Sequence, residues 1–145
     1  MAGTFFFEAE KTQFERRIEQ QDVIEGGERF VEYAGFVSGA EKKKLLYERD
    51  CVCFPTYYSA ENLPIILIEA MAFGLPVITT RWRGLPELLP AGYQGIVEPH
   101  SPEQIAGKFL KLADAEYDPT LREHFLRNFT HERFAENFKA ALGQL

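Results

Sequence analysis

Glu61 and Glu69 bracket the run Glu61-Asn-Leu-Pro-Ile-Ile-Leu-Ile-Glu69-Ala-Met-Ala-Phe-Gly-Leu-Pro-Val-Ile78. From Pro64 to Phe73 every side chain is apolar except Glu69. So apolar a segment belongs in a core, where a lone carboxylate is costly unless something hydrogen-bonds it. The nearest basic residues in the chain are Arg49 and Arg81, both outside the segment, which argues against a local salt bridge. Glu69 therefore either finds a distant partner or serves a ligand. Glu61 also has two readings, as an acid that offsets the dipole of a helix N-terminus or as a ligand contact.

The surroundings say what such a ligand would be. Cys51-Val-Cys-Phe54 reads as a short buried strand ended by Pro55, and Thr56 to Asn62 as the loop that feeds the apolar helix. In open parallel sheets, ligands bind outside the carboxyl ends of the strands, where loops enter helices. The unpaired N–H groups of a helix N-terminus favour phosphate. Pro64 suits the first helical turn, which puts Glu61 just before the helix and Glu69 about a turn and a half inside it. Carboxylates in those places accept hydrogen bonds from hydroxyls while backbone amides hold a diphosphate. A hydroxyl-rich ligand carrying a diphosphate is a nucleotide sugar.

The elements that must position these residues alternate between strand and helix. Thr4 to Ala9 and Arg29 to Val37 read as strands, with Gly26-Gly27 as a break between them. Thr12-Gln-Phe-Glu15 and Ser38-Gly-Ala-Glu41 are capping boxes that predict helix starts, the second helix running to about Arg49. The apolar helix stops at Gly74. Pro76 to Thr79 and Gln94 to Val97 are further strands. Helices then begin at Ser101-Pro-Glu-Gln104, Thr120-Leu-Arg-Glu123 and Thr130. Their apolar stripes (Ile105, Phe109 and Leu112; Leu121 and Phe125; Phe134, Phe138 and Leu142) predict core contacts. This pattern predicts an α/β domain, a Rossmann-like open parallel sheet with helices on both faces. At 145 residues the chain suffices for one domain and not for two.

Composition narrows the function. The apolar fraction is 46% and the charged fraction 26%, as in ordinary soluble domains. A net charge of −6 and the lack of a basic stripe argue against nucleic acid. Lys42 to Lys44 read as a solvated helix face. No apolar stretch approaches the roughly 20 residues that a bilayer needs, and Met1 to Glu8 lacks the pattern of a signal peptide. Membrane contact is unsupported. Cys51 and Cys53 share a strand face, cannot easily bridge, and read as buried thiols in a reducing, cytoplasmic location. His100, His124 and His131 lack ligand spacing, so no metal is expected.

The motif resembles that of the retaining GT-B glycosyltransferases of the group 1 family. The resemblance is carried by Phe54-Pro55, Glu61, Asn62-Leu63-Pro64, Glu69-Ala70-Met71-Ala72, Gly74-Leu75-Pro76-Val77-Ile78 and Arg83-Gly84-Leu85-Pro86-Glu87. Tyr33-Ala-Gly-Phe-Val-Ser38 upstream and Phe129-Thr-His-Glu-Arg-Phe134 downstream extend it from about Thr4 to the end. It implies that Glu61 accepts hydrogen bonds from the donor sugar and Glu69 from the nucleotide ribose, the two forming the catalytic pair. Backbone amides of Leu63 and Ile65 would face the diphosphate, and Gly35, Phe36 and Val37 the base. Gly84 would let backbone approach the donor, or simply serve as a turn glycine. The implied reaction is transfer of a glycosyl group from a nucleoside diphosphate sugar with retention, and it needs no cofactor.

The chain also departs from that family pattern. The resemblance implies an N-terminal acceptor domain and a first strand that are not found before Thr4, so residues 1–145 would be part of a C-terminal donor-binding domain. Transfer by this polypeptide alone is not expected, and the acceptor domain is its implied partner. A non-catalytic module that acts through a partner protein is the alternative, and an epimerase or phosphorylase of the same fold ranks last. The usual Gly-Gly turn is Arg83-Gly84, preceded by Arg81 and Trp82, which offers Arg81 or Arg83 as a phosphate contact.

Overall fold

The computed structural model describes residues 8–21, 31–113 and 118–143. The chain divides into two compact units, residues 1–45 and 46–145. In the first unit, α1 (Glu8–Gln21) carries the ion pairs Lys11–Glu8 at 3.6 Å and Lys11–Glu15 at 3.9 Å. Phe14 meets Tyr33 edge-on, with ring centroids 6.1 Å apart. The helix α2 (Gly39–Glu48) then leads into the second unit, where Leu46 joins the core.

Three sequence expectations fail in the first unit. Glu8 and Ala9 begin a helix rather than end a strand, and residues 4–7 lie outside the described residues. Thr12 is inside that helix, its hydroxyl donating to the Glu8 carbonyl at 3.0 Å, rather than capping it. Residues 31–37 form no strand either, and 29–30 lie outside the described residues. Alternating side chains make a strand only where a neighbouring ladder takes up the backbone, and no described strand pairs with 31–37.

The second unit is built on a parallel sheet of order β1-β2-β3, formed by β1 (Val52–Phe54), β2 (Val77–Thr80) and β3 (Ile96–Val97). Val52 pairs with Val77, Phe54 with Thr79, and Thr79 with Ile96. All four residues of the central strand are buried, as expected for a parallel strand covered on both faces. The outer position of β1 corrects one expectation: Cys51 is half-buried and Cys53 exposed. Even so, desolvation pushes the Cys53 thiol up to about 11, with Cys51 a smaller cause. Gly95 is glycine for a steric reason, because a Cβ there would lie 1.9 Å from the Val77 carbonyl oxygen.

The apolar segment forms α3 (Ile65–Phe73), which buries Leu67, Ala70 and Met71 against the sheet and against α6 (Thr120–Asn128). Gly74 ends it in the left-handed conformation at φ 71°, its N–H reaching the Ala70 and Met71 carbonyls. A short helix unforeseen in the sequence, α4 (Leu85–Leu88), buries Leu85 and Leu88. The helices α5 (Pro102–Ala113) and α7 (His131–Leu142) complete the unit. Thr130 caps α7 by accepting from the Arg133 amide.

Leu121 is buried as expected, but Phe109, Phe134, Phe138 and Leu142 are exposed. The α7 stripe is thus no core contact. Phe134 and Phe138 stack on one another, centroids 5.9 Å apart, with every residue from 131 to 142 exposed. Among the described residues no helix is long and apolar enough to cross a membrane.

Candidate functional site

A relay of hydrogen bonds runs from the buried central strand to Glu61. The Phe54 carbonyl accepts from the Thr56 amide at 2.9 Å and from the Thr79 hydroxyl at 2.8 Å. The Thr80 hydroxyl donates to the Thr56 carbonyl, and the Thr56 hydroxyl accepts from the Tyr58 amide at 3.2 Å. The Tyr58 carbonyl then accepts from the Glu61 amide at 3.1 Å and from Trp82 Nε1 at 2.9 Å. Thr79 and Thr80 are buried polar groups, and these bonds satisfy their hydroxyls. Threonine at the end of a buried strand thereby ties down the loop that follows the neighbouring strand.

Past that turn, Pro64 is buried and extended (φ −71°, ψ 109°), and α3 begins at Ile65. The first helical hydrogen bond is from the Leu67 amide to the Pro64 carbonyl at 3.0 Å. The amides of Ile65 and Ile66 precede it and are left for other acceptors. Glu61 and Glu69 are both half-buried, with Oε2 of Glu69 fully buried. Ile65 and Glu69, one turn apart, share a helix face, while Leu67, Ala70 and Met71 fill the core. Leu63 and Ile65 are exposed, as are Tyr57 and Tyr58. The arrangement offers half-buried carboxylates on either side of free amides.

The loops after β2 and β3 meet this one. Trp82 donates its amide to the Thr80 carbonyl at 2.8 Å and accepts the Leu85 amide at 3.1 Å. Arg83 takes the left-handed conformation at φ 48°, whereas Gly84 has φ −79° with open space where a Cβ would stand. Arg81 is engaged by Glu98, Nε to Oε1 at 2.8 Å. His100, also left-handed at φ 60°, lies against Tyr57 with centroids 4.3 Å apart. The three loops at the carboxyl edge of the sheet are thus cross-linked. Glu61, Leu63, Ile65 and Glu69 lie along one segment, and Trp82 ties the turn before it to the loop that carries Gly84.

Gly35, Phe36 and Val37 belong to the first unit, where Gly35 has φ 65°, Phe36 is exposed and Val37 half-buried. A cavity of about 320 Å³ beside β3 is lined by Arg81, Tyr93, Gln94 and Lys108 and by neither glutamate, so it is separate from this site. Among the described residues no cluster of His, Cys, Asp or Glu could hold a metal ion. Sequence reasoning missed Trp82 and His100 as parts of the site's frame. The available signal was slight: a single tryptophan two residues past a buried strand.

Comparison with known proteins bears on family and fold. The family described as Glycosyl transferases group 1 matches residues 2–131. A Salmonella typhimurium protein named as a colanic acid biosynthesis glycosyltransferase, WcaL, is 32% identical over 113 residues, covering 74% of this chain and 27% of its own. The amylovoran biosynthesis glycosyltransferase AmsK of Erwinia amylovora is 36% identical over 93 residues, 61% of this chain and 23% of its own. The chain therefore spans about a quarter of the length of these relatives. Anabaena HepE, solved in complex with UDP-glucose, superposes with a TM-score of 0.79 at 20% identity, covering 99% of this chain and 40% of that one. That likeness is one of fold.

Proposed function

The chain belongs to the group 1 glycosyl transferases, and on that premise we propose that it binds a nucleoside diphosphate sugar and serves transfer of the glycosyl group, with retention, in polysaccharide biosynthesis. The observation that carries the reading is the segment from Tyr58 to Glu69: a turn hydrogen-bonded to the buried strand, a carboxylate at Glu61, free amides at the start of α3, and a second carboxylate at Glu69. Glu61 accepts hydrogen bonds from the donor sugar and Glu69 from the ribose. Amides of Leu63 and Ile65 face the diphosphate, Pro64 having none to offer. Gly84 leaves room for the donor beside its loop.

The difficulty of the reaction is charge. The sugar becomes oxocarbenium-like as the diphosphate leaves, and preorganised amides at a helix N-terminus stabilise the departing phosphate. Hydroxyl contacts hold the reacting carbon in place. No metal is required. UDP-glucose in HepE supports the donor class, and the polysaccharides in the relatives' names support a part in polysaccharide biosynthesis. Transfer itself requires an acceptor-binding domain in addition to these residues, and we place it in the cytoplasm, in accord with the free thiols of Cys51 and Cys53.

Calorimetric titration with UDP, GDP and ADP and with their glucose or mannose conjugates tests this, with Glu69→Ala as control. One nucleotide series binds, and binding is lost in the variant. Absence of binding for every series at millimolar concentration, about 4 kcal/mol of affinity or less, would overturn the reading.

A further inference from the structure

We propose that Trp82 is a positioning residue for the donor sugar, acting through the Tyr58 carbonyl on Glu61; this rests on the reading of Glu61 as acceptor of the sugar's hydroxyls. A carbonyl oxygen has two lone pairs. At Tyr58 one takes the Glu61 amide (3.1 Å) and the other the Trp82 indole N–H (2.9 Å). Trp82 is itself fixed on both sides, its amide to the Thr80 carbonyl and its carbonyl to the Leu85 amide. Thr80 and Leu85 are 2% and 1% exposed, so the indole is anchored to the core.

The other ties of this turn end at Thr56 and Tyr57: the Thr80 hydroxyl donates to the Thr56 carbonyl, the Thr56 hydroxyl accepts from the Tyr58 amide at 3.2 Å, and His100 lies against the Tyr57 ring at 4.3 Å. At the Tyr58 carbonyl, the indole is the tie from outside the turn. Tyr57, Tyr58 and Leu63 are all more than half exposed, and a segment with few buried contacts opens readily. Any shift of the Tyr58 carbonyl carries the Glu61 amide with it. An ångström of displacement at a positioning group is enough to lose most of its contribution. A bare nucleoside diphosphate lacks the donor sugar that Glu61 holds, so the indole bond bears on the conjugate alone. Trp82 thus sets the preference for a nucleotide sugar over the free nucleotide, without touching either.

Trp82→Phe keeps an aromatic ring and removes the N–H. The full chain, Trp82→Phe, Glu61→Gln and the double variant are titrated with UDP-glucose and UDP, GDP-mannose and GDP, and ADP-glucose and ADP. For the pair that binds, Trp82→Phe lowers affinity for the conjugate about 5- to 10-fold, the worth of one ordinary hydrogen bond, and leaves the diphosphate within about 2-fold. In the Glu61→Gln background the same change adds less than about 2-fold, because both act on one contact. Equal losses on conjugate and diphosphate, or full additivity with Glu61→Gln, would overturn the proposal. Because Trp82 is the only tryptophan of the chain, its emission reports on the unaltered protein should the variant fold poorly. The conjugate changes that emission and the diphosphate does not; the same response to both also overturns the role. If binding is sound but Trp82→Phe keeps the preference for the conjugate, the role of Trp82 alone falls. If no pair binds to the unaltered chain, the donor reading falls and this proposal with it.

Discussion

The Tyr93 hydroxyl accepts from the Val77 amide at 2.8 Å and donates to the Val77 carbonyl at 3.0 Å, so one side chain completes the backbone bonding at the start of β2. The pairing of β2 with β3 begins only at Thr79 and Ile96. Fully buried Val77 would otherwise leave an amide and a carbonyl unsatisfied on that side. Tyr93 stands where the third strand has not yet started. Tyr93→Phe keeps the ring and removes both bonds, and is expected to cost about 2 kcal/mol. A urea titration checks it: the midpoint falls with unchanged slope, and an unchanged midpoint would dismiss the idea.

Alkaline pH should weaken the fold. The Cys53 thiol is pushed from 9.0 up to about 11 by desolvation and, secondarily, by Cys51. Between those values the folded chain holds more protons than the unfolded one, so stability is full below pH 9 and declines as pH rises toward 11. Burial raises the Tyr93 phenol as well, adding a decline of the same sign above pH 10. Unfolding midpoints measured from pH 8 to 11 should therefore fall, less steeply in Cys53→Ser. A flat profile would contradict both shifts.

Arg83 occupies the left-handed region at φ 48°, a conformation that costs an L-residue about 1 kcal/mol and glycine almost nothing. In the family pattern this is the first glycine of the pair. Arg83→Gly should therefore raise stability by about 0.5 kcal/mol, part of the relief being offset by the greater freedom of the unfolded chain. Gly84→Ala should be neutral within about 0.5 kcal/mol, since its φ is ordinary and the space is open. Thermal midpoints of the two variants decide it, and the reverse order would show that the turn needs its glycine at Gly84.

What the sequence disclosed follows from where the information lies. The helix from Ile65 to Phe73 was legible because its apolar run, Pro64 and Gly74 are local signals, whereas the roles expected of Glu61 and Glu69 rest on the family resemblance of the motif around them. The strand expected at 29–37 has the right alternation, but strand formation depends on a neighbour that no local pattern supplies. The α7 stripe failed similarly: Phe134, Phe138 and Leu142 have helical spacing, yet spacing cannot say whether another layer covers them. The frame of the site was the least visible part. Thr79, Thr80, Trp82 and Tyr93 act on carbonyls and amides from 16 to 25 residues away in the chain, and such pairings leave no mark in a single sequence.

The two glutamates should differ in which part of the donor they sense. Glu61 lies before α3, whereas Glu69 is four residues beyond Ile65, about 6 Å further along the helix axis. With the first-turn amides between them, a ligand held at its diphosphate presents one hydroxyl-bearing ring to each side. Glu61→Gln should then weaken the sugar conjugate about 10-fold, or 1.4 kcal/mol, and leave the free diphosphate unchanged. Glu69→Gln should weaken both about equally, because both carry the ribose. Glutamine keeps the size and one acceptor oxygen, so the loss reflects the stronger hydrogen bond that a charged acceptor makes. Calorimetry on the two variants with conjugate and diphosphate gives four affinities. A uniform loss in Glu61→Gln, or a loss confined to the conjugate in Glu69→Gln, would exchange or abolish the assigned roles.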